Sequence, residues 1–149
     1  MADYLRVARL YMVLLLLVTA GRWFVSFRVP YDVGTDKMSI FITTFFSSLF
    51  FAAFCRRWRG YSVVQAMSLG AIFGLLSQLV IFASTGASYL LGLDSYFNHP
   101  KALNVPAAIP IGEAMGRRAG GLIAGPIINA MVALVGWALG ALLPGERRQ

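Results

Sequence analysis

The chain has 149 residues, 58% hydrophobic and only 13% charged, against about 25% charged in an ordinary soluble domain. With a mean hydropathy of +0.71, this excludes a disordered chain and a conventional soluble enzyme, because a soluble fold of this size leaves roughly a third of its unfolded-chain surface in water. The 13 Lys and Arg against 6 Asp and Glu, net +7, stand in short groups at the ends of apolar runs, where anionic lipid and the membrane orientation rule account for them and nucleic acid is not implied.

The first apolar run covers 18 residues from Leu10 to Phe27, or 21 if it begins at Val7. At about 1.5 Å per residue that reaches about 27–31 Å, the depth of a hydrocarbon core. Arg6 and Arg9, the leucine-rich stretch and Val18-Thr19-Ala20 have the layout of a secretory signal. The segment is long enough to cross the bilayer, and we read residues 7–27 as a retained first span. Arg22 is the one charged residue inside the runs when the first is counted from Leu10. It reads as a snorkelling anchor beside Trp23, with pairing to an anionic lipid or another subunit as the alternative. Residues 28–37 form a short outer turn around Pro30, Asp32, Gly34 and Asp36.

The second span, residues 38–55, is stopped by Arg56-Arg57-Trp58-Arg59. It holds six of the 11 phenylalanines, from Phe41 to Phe54, and Thr43, Thr44, Ser47 and Ser48 on one helical side. The hydroxyl side should face protein and the rings lipid, although a pigment or quinone could also lie against them. Cys55, the only cysteine, excludes an intrachain disulfide and a multi-cysteine metal site. Residues 56–61 make a tight hairpin into the third span, residues 62–84, which carries Ala66, Gly70 and Gly74 at four-residue intervals and then Ser77.

Residues 85–118 are the long outer loop, with three prolines. Tyr89, Leu90, Leu91, Tyr96 and Phe97 suit the headgroup level. His99, the only histidine, is a weak candidate ligand for a haem or chlorophyll metal, and with Asp94 and Glu113 it could be imagined as a hydrolytic set. No catalytic motif accompanies it, and no metal centre is implied. Arg117-Arg118 reads as a contact to lipid phosphate or to a partner's acidic surface, and the Arg56, Arg57, Arg59 cluster as a lipid-headgroup contact at the interface. Pro110 with Glu113 reads as a helix start that could run on into the fourth span.

The fourth span, residues 119–143, contains Gly125-Pro126, which predicts a kink near Leu122 because proline cannot donate to that carbonyl. Asn129 could serve a freed carbonyl or bond across helices. Gly116, Gly120 and Ala124 recur at four-residue intervals, with Gly121 and Gly125 beside them and Gly136 and Gly140 beyond. Such small-residue faces let helix backbones approach closely, the main mode of helix association in lipid.

Placing the N-terminus in the cytoplasm puts seven Lys and Arg on that side (Arg6, Arg9, Arg56, Arg57, Arg59, Arg147, Arg148) and six outside (Arg22, Arg28, Lys37, Lys101, Arg117, Arg118). The dense Arg56–Arg59 cluster favours N-in/C-in. The sequence therefore predicts an all-α integral membrane protein of an inner membrane: an up-down bundle of four transmembrane helices, kinked at Pro126. The absence of mid-membrane acids and bases argues against a proton-coupled pump or an intramembrane protease. The expected function is that of a non-catalytic accessory subunit of a larger respiratory, photosynthetic or transport complex. Its expected partners are other integral membrane subunits and anionic lipids, with bound lipid rather than a cofactor. A homo-oligomeric solute or lipid transporter built around Pro126, Asn129, Gln78 and Ser77 is the second reading, and an enzyme acting through the outer loop the third.

Overall fold

The computed structural model describes residues 2–29, 31 and 39–144. Five helices follow in chain order: α1 (Ala2–Ser26), α2 (Ile40–Arg59), α3 (Val63–Leu90), the single turn α4 (Pro100–Leu103) and α5 (Ile111–Leu139). Four of them are long and apolar enough to cross a membrane, and no strand occurs among the described residues. The expected turn residues Asp32, Gly34 and Asp36, together with Pro30, Lys37, Arg147 and Arg148, lie outside the described residues.

The helix ends follow from local chemistry. Ser39 caps α2 by accepting from the Ile42 amide, and Gly60 ends it in the left-handed region at φ 66°. Gly60 has no Cβ to resist that conformation, and the chain turns at once into α3. There Ser62 and Gln65 form a reciprocal capping box, with bonds of 2.8 and 3.3 Å. Arg56, Arg57 and Arg59 in the last turn of α2 oppose its negative end.

Both helices flanking the long connection are longer than the apolar runs imply. α3 continues past Ser84 to Leu90, and α5 begins at Ile111 rather than 119. Hydroxyls explain the first extension: Thr85 and Ser88 each donate to the carbonyl one turn back, at 2.8 and 2.7 Å, so polar residues continue the helix without open hydrogen-bonding groups. Pro110 and Glu113 explain the second, as a favourable helix start. What remains between them is residues 91–110, which fold back over the bundle end that holds Leu90 and Ile111.

The core is the trio α2, α3 and α5, with α3 and α5 the most extensive pair. α3 runs antiparallel to α5: Gly70 lies against Asn129 and Ala133, and Gly74 against Gly125 and Pro126. α2 runs parallel to α5, with Gly136 against Leu49 and Gly140 against Ala53. Ser48 of α2 donates to the Asn129 side-chain oxygen at 2.9 Å, and the Asn129 amide donates to the Gly125 carbonyl at 2.9 Å. α1 packs outside this trio, on α2 and α3. Its anchor is Tyr11, fully buried, with its ring stacked on Phe73 at 4.1 Å and its hydroxyl bonded to Thr44 at 2.8 Å and to the Phe73 carbonyl at 3.2 Å. As the α2 pattern implies, Thr44, Ser47 and Ser48 are buried, whereas Phe41, Phe46, Phe50 and Phe54 point outward.

Candidate functional site

The small residues fall into two sets on opposite sides of α5. Gly121, Gly125, Gly136 and Gly140 face the bundle, with Ala66, Gly70 and Gly74 of α3 packed inside it. Gly121 and Gly125 make room for the Gln78 side chain, since a Cβ at Gly125 would stand 2.5 Å from its Cγ. Gly112, Gly116 and Gly120 are different: a Cβ at any of them would meet nothing within 4 Å. Ala124 is exposed on the same face, which continues through Ile123 (70% exposed), Ile127 (60%), Met131 and Val135. α5 thus presents an open ridge of small residues away from its neighbours.

At the end covered by residues 91–110, two arginines expected at the membrane surface turn inward. Arg22 of α1 is only 2% exposed, with its guanidinium carbon 3.2 Å from the Tyr96 ring centroid. It does not snorkel outward, because the connection 91–110 folds over it. Ser26 fixes that fold: its hydroxyl donates to the Arg22 carbonyl at 2.7 Å and accepts from the Tyr96 amide at 3.1 Å. Phe97 is fully buried beside Trp23, at 5.3 Å between ring centroids. Arg118 of α5 donates through Nε to the Thr85 hydroxyl and through Nη2 to the Phe97 carbonyl, both at 3.2 Å. Both arginines line one cavity of about 310 Å³, with Gln78, Tyr96 and Asn104 among its other walls. No Asp or Glu lines it among the described residues.

The neighbouring basic residues do other work. Arg117 faces outward and pairs with Glu113 at 3.0 Å, each side chain about half exposed. Such an exposed i,i+4 pair contributes about 0.3–0.5 kcal/mol. Arg56 sits 3.7 Å from the Trp137 ring centroid and donates to the Trp137 carbonyl at 2.8 Å, while Trp137 Nε1 donates to the Tyr61 carbonyl at 2.7 Å. It holds the C-terminal end of α5, where a cation opposes the dipole. Arg57 donates to the Pro144 carbonyl at 3.2 Å, and both Arg57 and Arg59 are exposed.

His99 takes a structural position. Its Nδ1 accepts from the Lys101 amide at 3.3 Å, capping α4, and its ring stacks on Tyr31 at 4.2 Å. Glu113 is engaged by Arg117, and Asp94 is exposed. No group of three or more His, Cys, Asp or Glu placed to hold a metal occurs among the described residues. Asn129 and Ser77 are both buried in the packed interior, Ser77 donating to the Gly74 carbonyl at 2.9 Å. Gln78 of that predicted polar set lines the cavity between Arg22 and Arg118.

Comparison of the chain with protein-family models, with curated proteins and with solved structures gave no match. The arrangement itself offers two surfaces with chemical character: the open α5 ridge of small residues, and the cavity lined by the Arg22 and Arg118 guanidinium groups. Sequence reasoning named Arg22 and Arg118 but not their convergence. The available signal was Gln78, an amide side chain within the largely apolar stretch from Gly70 to Phe82.

Proposed function

We propose that this chain is a non-catalytic subunit of a larger complex in a bacterial inner membrane, respiratory, photosynthetic or transport-related, with both ends in the cytoplasm. Its four long helices cross the bilayer as an up-down bundle. The last bends at Pro126, whose missing N–H leaves the Leu122 carbonyl without its helical donor. The buried glycines hold its own helices together, and the exposed ones receive a helix of a neighbouring subunit.

One observation carries this reading: Gly112, Gly116, Gly120 and Ala124 line the face of α5 turned away from the bundle. In lipid there is no hydrophobic drive between helices, so association depends on van der Waals packing and close backbone approach. Glycine on a face that only meets lipid supplies neither bulk nor helix propensity. The transporter reading is less well supported, since Asn129 and Ser77 are bonded within the packed helices.

Gentle detergent extraction of native membranes tests the proposal. The chain should migrate in a complex well above its own 16.3 kDa, and a Gly116→Leu, Gly120→Leu double variant should be inserted normally but migrate free. A wild-type chain that runs alone overturns the subunit reading. A complex indifferent to the double variant overturns the role of the ridge.

A further inference from the structure

We infer that the groove between α1 and α2, at the bundle end that holds Arg6 and Arg59, is a binding site for one anionic phospholipid. An acyl chain lies along the two helices and the phosphate sits at the arginines. The inference takes from the proposed function only that the four helices cross a bilayer; it needs neither the α5 ridge nor a partner subunit.

The residues of α1 that meet the bundle recur on one face: Tyr4 against the Tyr61 ring at 5.3 Å, then buried Val7, Tyr11 and Leu15. Arg6 and Leu10 stand beside that face and are exposed. On α2, Cys55 is buried, while Phe54 and Trp58, stacked at 4.6 Å between ring centroids, are about half exposed. The two helix edges leave a furrow of about 570 Å³ between them, with Val7 and Cys55 on its floor and Leu10, Phe54 and Trp58 on its rims. Ligand sites run from about 300 to 1,000 Å³. Tyr4 fastens α1 to Tyr61, and Tyr11 fastens it to Phe73 and Thr44, so the walls of the furrow are held in place.

The chemistry changes along its length. From Phe51 to Arg59 the furrow follows α2 for about 12 Å. Its inner part is lined by Phe51, Leu10 and Val7, and its end by Arg6 and Arg59 beside Trp58. Tryptophan and arginine at the end of a span belong at the headgroup level. An apolar channel with cations at one mouth matches an amphiphile with an anionic head, a charge that a quinone or a pigment ring lacks.

The positive excess does not depend on how any one arginine is paired. Arg6, Arg9, Arg56, Arg57 and Arg59 stand at this end, and the acids nearest to it in the sequence are Asp3 and Glu146. Five cations against two acids leave a positive surface whichever pairs form, and such clusters beside a membrane span collect anionic lipid. Lipid tails are as apolar as the furrow walls, so a chain gains little by entering it, and headgroup charge decides which lipid stays.

The test uses the full chain purified in a neutral detergent. Phosphatidylglycerol and phosphatidylcholine with identical acyl chains are added separately, and bound lipid is counted by native mass spectrometry. Phosphatidylglycerol should fill one saturable site and raise Tm, with phosphatidylcholine weaker by about fivefold or more. Inorganic phosphate should not displace it, since the chain as well as the head is held. Arg6→Gln should weaken phosphatidylglycerol about fivefold, the effect of one cation near an anionic headgroup, and Arg6→Glu should weaken it further. Leu10→Trp, which fills the furrow from an exposed rim, should weaken both lipids. Arg9→Gln removes an exposed arginine that does not line the furrow, and should change binding by less than about twofold because screening limits its reach. Equal retention of the two lipids, displacement by phosphate, a Leu10→Trp chain that binds as before, or an Arg9→Gln loss as large as that of Arg6→Gln overturns the inference. None of these outcomes bears on the α5 ridge.

Discussion

Substituting alanine at Gly70 and at Gly116 should change stability in opposite directions, although both replace a helical glycine. A Cβ at Gly70 would meet the Asn129 carbonyl oxygen and stand 2.6 Å from the Ala133 Cβ and 2.9 Å from the Asn129 carbonyl carbon. Carbon pairs are most favourable at about 3.5–4.0 Å, so α3 and α5 must part by about 1 Å along this line. A gap of about 0.5–1 Å already forfeits a quarter to a half of the dispersion attraction, and it opens beside Gly74 and Gly125 as well. Overpacking of this kind costs about 1–3 kcal/mol, against which alanine recovers about 0.5–1 kcal/mol of helix propensity. The net expectation for Gly70→Ala is a loss of about 1–2 kcal/mol. At Gly116 nothing lies within 4 Å of the added carbon, so only the propensity gain of about 0.5–1 kcal/mol remains. Steric-trapping or SDS-titration unfolding of the purified chain in mixed micelles measures both. A Gly70→Ala chain no less stable than Gly116→Ala would refute the close approach of α3 and α5.

Ser48→Ala removes the donor at 2.9 Å from the Asn129 side-chain oxygen. It should cost about 0.6 kcal/mol, and no more than about 1.7 kcal/mol, the range found for hydrogen bonds between membrane helices; the same unfolding titration, extended to a double-mutant cycle with Asn129→Ala, checks it. Gly60→Ala places a side chain at φ 66° and should destabilise the α2–α3 turn by about 1–2 kcal/mol, read as faster hydrogen exchange at the Tyr61 amide.

Much of the architecture was legible in the residues because lipid imposes a simple rule. Every spanning stretch must be long, apolar and helical, and such stretches stand out on either side of the Arg56–Gly60 break and before Pro144. Pro110 and Glu113 marked a helix start and the Arg56–Arg59 run a helix end through their intrinsic chemistry. Apolar runs understate helix length where hydroxyls bond back to their own helix, which is why Thr85 and Ser88 continue α3. The partition of the α5 glycines was not legible, because four-residue repeats occur on both of its faces. Only the positions of Gly70, Gly74 and Leu49 decide which set is buried. The inward turn of Arg22 and Arg118 was likewise hidden, since it depends on residues 91–110 folding back through the Ser26–Tyr96 bond. Charge alone placed these residues at a surface, and a long-range contact moved them inside.

Photo-crosslinking in intact native membranes tests most directly the claim that α5 offers a docking face to another membrane protein. A photoreactive residue at Ile123 or Ile127, on the open side of α5, should yield a discrete adduct with one polypeptide, while the same group at Leu17, on the outward face of α1, should yield lipid adducts only. Lipid adducts at all three positions, or protein capture that does not distinguish α5 from α1, would contradict it.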